Sequence, residues 1–95
     1  MIAEDFRRAS DVIFGHEWQR SIARALGPMH PDGPRESIDE RLVRRWASGD
    51  REIPGWVSAA IVRVAGERAA ALRLEADAME AFAAGLGGTA ARGQD

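Results

Sequence analysis

Residues 37–54 read SIDERLVRRWASGDREIP, the stretch with the clearest helical pattern in the chain. At 100 degrees per residue, its apolar side chains fall on one side of a helix, and most of its polar side chains fall on the other. The apolar set is Ile38, Leu42, Val43 and Trp46, and the polar set is Arg41, Arg44, Arg45 and Ser48. The spacing predicts an amphipathic helix with an almost wholly cationic outer face.

Both ends of this helix carry recognisable signals. Ser37 and Glu40 match a capping box, in which each side chain satisfies an otherwise unpaired amide of the first turn, so we expect the helix to begin at Ser37. It should run to Ser48 and end at Gly49. Pro54 is then expected in the first turn of the following helix, where proline is tolerated.

Two shorter helices are predicted upstream. From Glu4 to Phe14 apolar residues recur at helical spacing, and Gly15 provides a stop. A second set of apolar residues, Trp18, Ile22, Ala25 and Leu26, leads to Gly27 and Pro28, which end a helix. Residues 28–34 contain three prolines and a glycine, so we expect an exposed loop without regular structure there.

Downstream, a long fourth helix is predicted. Trp56, Ala60, Ile61 and Val64 form an inward set, and nothing before Gly85 ends the helix decisively. Gly66 costs about 1 kcal/mol relative to alanine but does not by itself stop a helix. The register can therefore continue for about 30 residues, followed by a tail at residues 87–95 that is expected to be disordered.

Within the long helix, apolar residues alternate steps of three and four, which is the spacing of a heptad seam. The seam consists of Val62, Ala65, Ala69, Leu72, Ala76, Met79, Ala83 and Leu86. Such a face either packs back over the first helix or pairs with its counterpart in a second chain. We favour a homodimer interface, and the direction of pairing stays open.

Composition limits the class of protein. Ninety-five residues support one domain, and the absence of cysteine excludes disulfides and thiolate zinc sites. Neither a signal peptide nor a run of apolar residues long enough to span a membrane is present, so a cytoplasmic protein is expected. The net charge is -2, yet residues 20–51 carry seven arginines against five acidic residues. The middle third alone is positive, and the cations are all arginine.

Nothing in the sequence supports catalysis or a cofactor. His16 and His30 are the only histidines, and neither has the second histidine four residues on that a zinc helix needs. Paired carboxylates such as Asp39 and Glu40 are too close in sequence to converge as an acid and a base. The tryptophans lie on apolar stripes, so we expect them in the core. We predict no enzyme, no metal and no cofactor.

Two segments resemble the Cro and phage-repressor (XRE-like) family of helix-turn-helix domains. These are Trp18-Gln19 with Ile22-Ala23-Arg24-Ala25-Leu26-Gly27, and the run from Leu42 to Pro54. The resemblance covers about residues 4–66. It implies an all-α helix-turn-helix DNA-binding domain at residues 1–66, with residues 67–86 as a helical dimerisation segment. The implied protein is a bacterial or phage transcription regulator, such as a repressor, that binds double-stranded DNA as a homodimer.

The resemblance also implies roles for individual residues. Gln19 and Arg51 would contact phosphates, while Glu40, Arg41, Arg44 and Arg45 would read bases or grip the backbone, with Ser48 on the same face. The chain departs from the family by an insertion of about ten residues, from Pro28 to Ser37. The insertion could bulge away, reposition the third helix, or contact DNA through Arg35. The alternative is a protein-interaction module, such as an antitoxin or phage accessory factor, on the same scaffold.

Overall fold

Four helices make up the fold. The computed structural model of the protein describes residues 1–93, with side chains described for residues 1–88. The elements are α1 (Ala3–Phe14), α2 (Gln19–Leu26), a 3-10 turn (Gly27–Met29), α3 (Glu40–Ser48) and α4 (Gly55–Gly93). No strand occurs among the described residues, which confirms the prediction of a small all-α fold with a long last helix.

Two glycines end helices as predicted. Gly15 follows α1 with a φ of 84°, and Gly49 follows α3 with a φ of 85°. At a positive φ glycine is favoured because it has no Cβ to clash with the backbone. After α2 the chain is different, because Gly27 continues into the 3-10 turn instead of ending regular structure. The loop predicted at residues 28–34 therefore begins with an ordered turn.

The predicted start of α3 is wrong, because its N-cap lies two residues after Ser37. The N-cap is Asp39, whose Oδ1 accepts from the backbone N–H of Arg41 at 2.9 Å, and no capping box forms. The Ser37 hydroxyl donates to the carbonyl of Ile38 instead, at 3.0 Å. Ile38 is only 5% exposed, and its N–H donates to the carbonyl of Ala23. Burial of Ile38 against α2 holds this part of the chain out of the helix.

Aromatic side chains form the centre of the core. Phe6 is fully buried, and its ring lies edge-on to Trp18 at 5.6 Å and to Trp46 at 5.9 Å between centroids. Trp46 in turn meets Trp56 at 6.4 Å. The tryptophans are thus packing residues, as predicted, although Trp56 is only partly buried. The aliphatic core around them consists of Ile22, Ala23, Leu26, Ile38, Val43, Ile53, Val57, Ala60, Ile61 and Val64.

The loop between α2 and α3 closes on itself. The N–H of Arg35 donates to the carbonyl of Gly27 at 2.9 Å. A Cβ on Gly27 would lie 2.7 Å from the carbonyl oxygen of Arg35, so the backbones of the two ends of the loop are in direct contact there. The ring of His30 packs against Trp56 at 5.3 Å. The insertion is therefore a loop whose two ends meet, and α2 and α3 remain packed together.

The long helix α4 leaves the domain after its first turns. Val57, Ala60, Ile61 and Val64 are buried, whereas the helix beyond Arg68 projects and gives the molecule a long dimension of 64 Å against 25 and 18 Å. The sequence places the helix end at Leu86, but α4 continues to Gly93, since no proline interrupts it. Of the tail predicted to be disordered, residues 94 and 95 lie outside the described residues.

The heptad seam is uncovered within this chain. Its large residues are exposed: Val62 by 74%, Leu72 by 43%, Met79 by 65% and Leu86 by 55%. Only its first residues lie beside α1, where Val62 and Ala65 help to line a groove. The seam does not pack back over α1, because the helix has already left the domain when most of the seam begins.

Candidate nucleic-acid interface

Helix α3 separates its apolar and cationic side chains as the sequence predicts. Val43 is fully buried and Trp46 is 2% exposed, because both pack on the core that α1 and α2 supply. Arg41, Arg44 and Arg45 are exposed to solvent on the outer side of the same helix. The packing on the inner side therefore presents the three guanidinium groups outward together.

Two shallow depressions border these arginines. One of about 410 Å³ is lined by Asp39, Arg41, Leu42, Arg45 and Arg51. The other, of about 340 Å³, is lined by Arg41, Arg44, Arg45, Ser48 and Asp50. Arg41 and Arg45 border both depressions. The structure thus brings together five of the predicted site residues: Arg41, Arg44, Arg45, Ser48 and Arg51.

The turn after α3 places Arg51 in this group. Following Gly49, the chain folds back and the N–H of Arg51 donates to the carbonyl of Arg45 at 3.2 Å. The Ser48 hydroxyl donates to the same carbonyl at 3.1 Å and accepts from the N–H of Asp50 at 3.4 Å. Ser48 therefore holds the helix end, and Arg51 lies beside the arginines of α3.

The acidic residues at the start of α3 each interact with a nearby arginine. The N–H of Arg41, which donates to the Asp39 carboxylate, lowers the pKa of that side chain below its ordinary value. The guanidinium of Arg41 also lies 3.5 Å from Asp39. Glu40 forms an ion pair with Arg20 of α2 at 3.7 Å. Both carboxylates thus serve the cap and the contact between α2 and α3.

The remaining arginines of this surface form none of the ion pairs among the described side chains. Within residues 1–88, the ion pairs are Arg8 with Glu4, Arg20 with Glu40, Arg41 with Asp39, and Arg63 with Glu67. Arg44, Arg45 and Arg51 take part in none of them and are exposed. Their guanidinium groups are therefore accessible to an anion, and Arg44 also interacts electrostatically with Asp39.

Two predicted site residues lie away from the depressions. Gln19 is half-buried in the first turn of α2, and Arg35 is exposed at the base of the loop, where its N–H meets Gly27. Neither lines the surface formed by α3 and Arg51. Gln19 shares its helix with Arg20, which reaches α3 through Glu40, whereas Arg35 lies at the far end of α2.

Two arginines that contact α3, Arg20 and Arg7, were not predicted from the sequence, and neither was Arg24, one turn beyond Arg20 on α2. Arg20 and Arg24 are exposed on α2, and their spacing of four residues on the polar side of that helix was the available signal. Arg7 of α1 donates to the carbonyl of Ala47 and so satisfies the last turn of α3. That contact joins residues 40 positions apart and has no local signature.

The described part of the chain gives little evidence for a metal site or a membrane-spanning helix. No group of three or more histidine or acidic side chains is placed to hold a metal ion there. His30 accepts a hydrogen bond at Nδ1 from the N–H of Asp32 at 3.1 Å, which stabilises the loop. No helix within residues 1–93 is long and apolar enough to cross a membrane.

No family model, curated protein or solved structure matches this chain. The resemblance to the phage-repressor family therefore stands on the quoted residues alone.

Proposed function

We propose that the protein is a sequence-specific regulator of transcription that inserts α3 into the major groove of double-stranded DNA. One observation carries the proposal: Arg41, Arg44 and Arg45 project together from a helix whose opposite side is buried. Arginine donates two hydrogen bonds to guanine O6 and N7, and it also binds phosphates. An α-helix with its side chains is about 10 to 12 Å across and fits a major groove about 12 Å wide.

The ion pairs divide the residues into roles. Arg44 and Arg45 form none of the ion pairs within residues 1–88 and are the base-reading candidates. Arg41 already interacts with Asp39, so it grips the backbone or orients the helix. Arg51, in the turn beside Arg45, contacts a phosphate. Glu40 is assigned to its pair with Arg20, and Gln19 and Arg35 to flanking phosphates.

The overall acidity of the chain does not oppose this proposal. Affinity for phosphates depends on the charge at the contact surface, because local arginines release the counterions of DNA. The acidic residues Glu75, Asp77 and Glu80 lie on the projecting part of α4 and not on α3. Binding would place the protein with the DNA of the nucleoid.

One α3 helix reads only a few base pairs, so a second copy is part of the proposal. Two-fold symmetric helix-turn-helix proteins read two half-sites that lie one helical turn of DNA, about 34 Å, or a multiple of it apart. A pair of chains would present two arginine surfaces to one face of the duplex. The exposed seam on α4 supplies a surface for that pairing.

Selection of bound duplexes from a random pool tests the proposal. We expect enrichment of an inverted repeat with guanines in each half-site, and an affinity that falls steeply as salt is raised. Duplexes retained without any enriched sequence would limit the function to nonspecific binding. No retention at low salt would contradict the proposal.

The second candidate is a protein-interaction module on the same scaffold. It is favoured by the exposed apolar residues of α4, which include Leu74 at 72% and Phe82 at 69% exposure outside the seam. These side chains are available to a protein partner even when the seam is occupied. Loss of DNA retention, with self-association intact, would favour this candidate.

A further inference from the structure

The projecting part of α4 carries an uncovered apolar face with unpaired charges beside it. The face consists of Ala69, Leu72, Ala76, Met79, Ala83 and Leu86, in which large and small residues alternate. Arg73 and Glu80 flank it on one side, and Glu75 on the other. None of these three forms an ion pair within residues 1–88, where the paired acids are Glu4, Asp39, Glu40 and Glu67.

The flanking charges disfavour a parallel pair of α4 helices. In a parallel pair, a residue on one flank meets the residue five positions later on the partner. Arg68 would then face the partner's Arg73, and Glu75 would face the partner's Glu80. Both contacts join like charges. A parallel pair would also stack alanine on alanine and large residues on large residues in alternate layers, which packs unevenly.

Antiparallel pairing centred between Asp77 and Ala78 removes both problems. Leu72 then lies level with the partner's Ala83, Met79 with the partner's Ala76, and Leu86 with the partner's Ala69. Each of these three layers occurs twice by symmetry, and each joins one large residue to one alanine. Flanking positions of the same kind face each other in an antiparallel pair, so Arg73 meets the partner's Glu80 on both sides of the axis.

Other antiparallel registers fit less well. A shift by one heptad would bring Arg73 opposite the partner's Arg73. A shift by two heptads would need Arg68 for its flanking contact between opposite charges. The guanidinium of Arg68 already lies 5.7 Å from the centre of the Phe14 ring and donates to the carbonyl of Ile13. It would also place alanine against alanine at Ala65. The register centred near Asp77 uses only the part of α4 that has left the domain.

We propose that two copies of this chain associate through antiparallel pairing of α4 over residues 69–86, with Arg73 of each copy facing the partner's Glu80. The paired segment is about 27 Å long. The inference rests on the dimer that the proposed function requires but on none of the DNA contacts. It assigns the occupant of the exposed face, the direction of pairing and the register.

Charge exchange at the flank tests the direction. Sedimentation of the full chain without DNA, over micromolar to submillimolar concentrations, should show a monomer–dimer equilibrium. We expect Arg73→Glu and Glu80→Arg each to weaken dimerisation by about three- to tenfold. Each substitution replaces the attraction between positions 73 and 80 by a repulsion, and the dimer contains two such contacts. The double variant R73E/E80R should return to the wild-type affinity.

The same substitution has the opposite sign in a parallel dimer. There Arg73→Glu would replace a repulsion from Arg68 by an attraction, and the dimer would become tighter. Such a gain would overturn the proposal. Leu72→Glu, on the seam, should abolish the dimer, while Leu74→Glu, on the opposite side of α4, should leave it unchanged.

Disulfide trapping tests the register, since the chain has no cysteine of its own. An equimolar mixture of the single variants Leu72→Cys and Ala83→Cys should form a mixed disulfide on oxidation, identified by its mass. Leu72→Cys alone should not crosslink, because the two positions lie about 16 Å apart along the pair. A disulfide of Leu72→Cys with itself, or a wild-type monomer at every concentration, would overturn the proposal whatever DNA binding shows.

Discussion

The backbone N–H of Ile38 donates to the carbonyl oxygen of Ala23 across 2.9 Å, which joins the residues just before α3 to the middle of α2. Together with the Arg35-to-Gly27 hydrogen bond, this contact seals the base of the inserted loop. The arginine-bearing helix is therefore held against α2 although the connection is long. The orientation of the candidate DNA-binding surface depends on this closure.

Gly27 should be intolerant of any side chain. A Cβ there would lie 2.7 Å from both the carbonyl oxygen of Arg35 and the backbone nitrogen of Ser37. Backbone atoms can move away from such a contact only at a high cost in free energy. We expect Gly27→Ala to lower the free energy of unfolding by about 1 to 3 kcal/mol. Gly66→Ala is the matched control, because it lies in α4 with open space around it and should stabilise by about 0.5 to 1 kcal/mol. Chemical denaturation compares them, and equal effects would contradict the direct backbone contact at Gly27.

Trp46 is expected to be the most costly core residue to remove. Its ring meets both Phe6 and Trp56, and it is 2% exposed. We expect Trp46→Ala to destabilise by about 3 to 5 kcal/mol, which is enough to unfold many small domains. Trp46→Phe should retain a cooperative thermal transition at a lower temperature. A transition near that of the wild type in the alanine variant would show that the ring is not central to the core.

Removal of the Ser10 hydroxyl should stabilise the protein. Ser10 is fully buried on α1, and its Oγ has no hydrogen-bond partner among the described residues. Burying an unpaired hydroxyl costs about 1 to 3 kcal/mol, so Ser10→Ala should gain about 1 kcal/mol or more. Ser58→Ala, at a half-buried position in α4, should gain only a few tenths from helix propensity. Calorimetry of the two variants measures the difference, and a loss of stability in Ser10→Ala would count against this account.

The cap at Asp39 should make the stability of α3 depend on pH. The hydrogen bond from the N–H of Arg41 lowers the pKa of Asp39 below its ordinary value of 3.8 in the folded state. The charged cap therefore contributes in full above that value, and its contribution is lost as the pH falls through the lower pKa of the folded state. Asp39→Asn keeps an acceptor without the charge. The stability difference between wild type and Asp39→Asn should be present at neutral pH and shrink in strong acid, and a difference that is constant with pH would refute the charge effect.

Arg45 should be the most sensitive residue for DNA binding. It borders both depressions and takes part in no ion pair within residues 1–88. Once a bound sequence is selected, Arg45→Ala should cost about 1 to 3 kcal/mol and relax the preference at one base pair. A uniform loss across sequences, with a shallower salt dependence, would instead indicate a phosphate contact. Arg63→Ala, which removes a cation paired with Glu67 on α4, should leave affinity unchanged in the same titration.

Much of the helical framework was predictable because helix ends are set by local chemistry. The glycines at positions 15 and 49 adopt a positive φ that other residues rarely tolerate, so they stop α1 and α3 wherever those helices pack. The periodicity of Val43 and Trp46 likewise identified the buried side of α3 without any tertiary information. The exposure of Arg44 and Arg45 follows from that periodicity.

The remaining features depend on residues far apart in the chain. The capping box at Ser37 was a sound local signal, but burial of Ile38 against α2 outweighs it and moves the start of α3 to Glu40. The contact of Arg7 with Ala47 and the pair of Arg20 with Glu40 also join separate helices. Local patterns cannot encode such contacts, because their distances are set by how the helices pack.

Local sequence patterns therefore set which residues form helices and which side of each helix is apolar, because these properties depend on neighbours within one or two turns. Three other features depend on contacts between helices and loops: the insertion closes at Gly27, Arg51 joins the arginines of α3, and the seam of α4 extends exposed beyond the domain. Packing of the helices around Phe6 and Trp46 sets those relationships, and packing is a property of the whole chain.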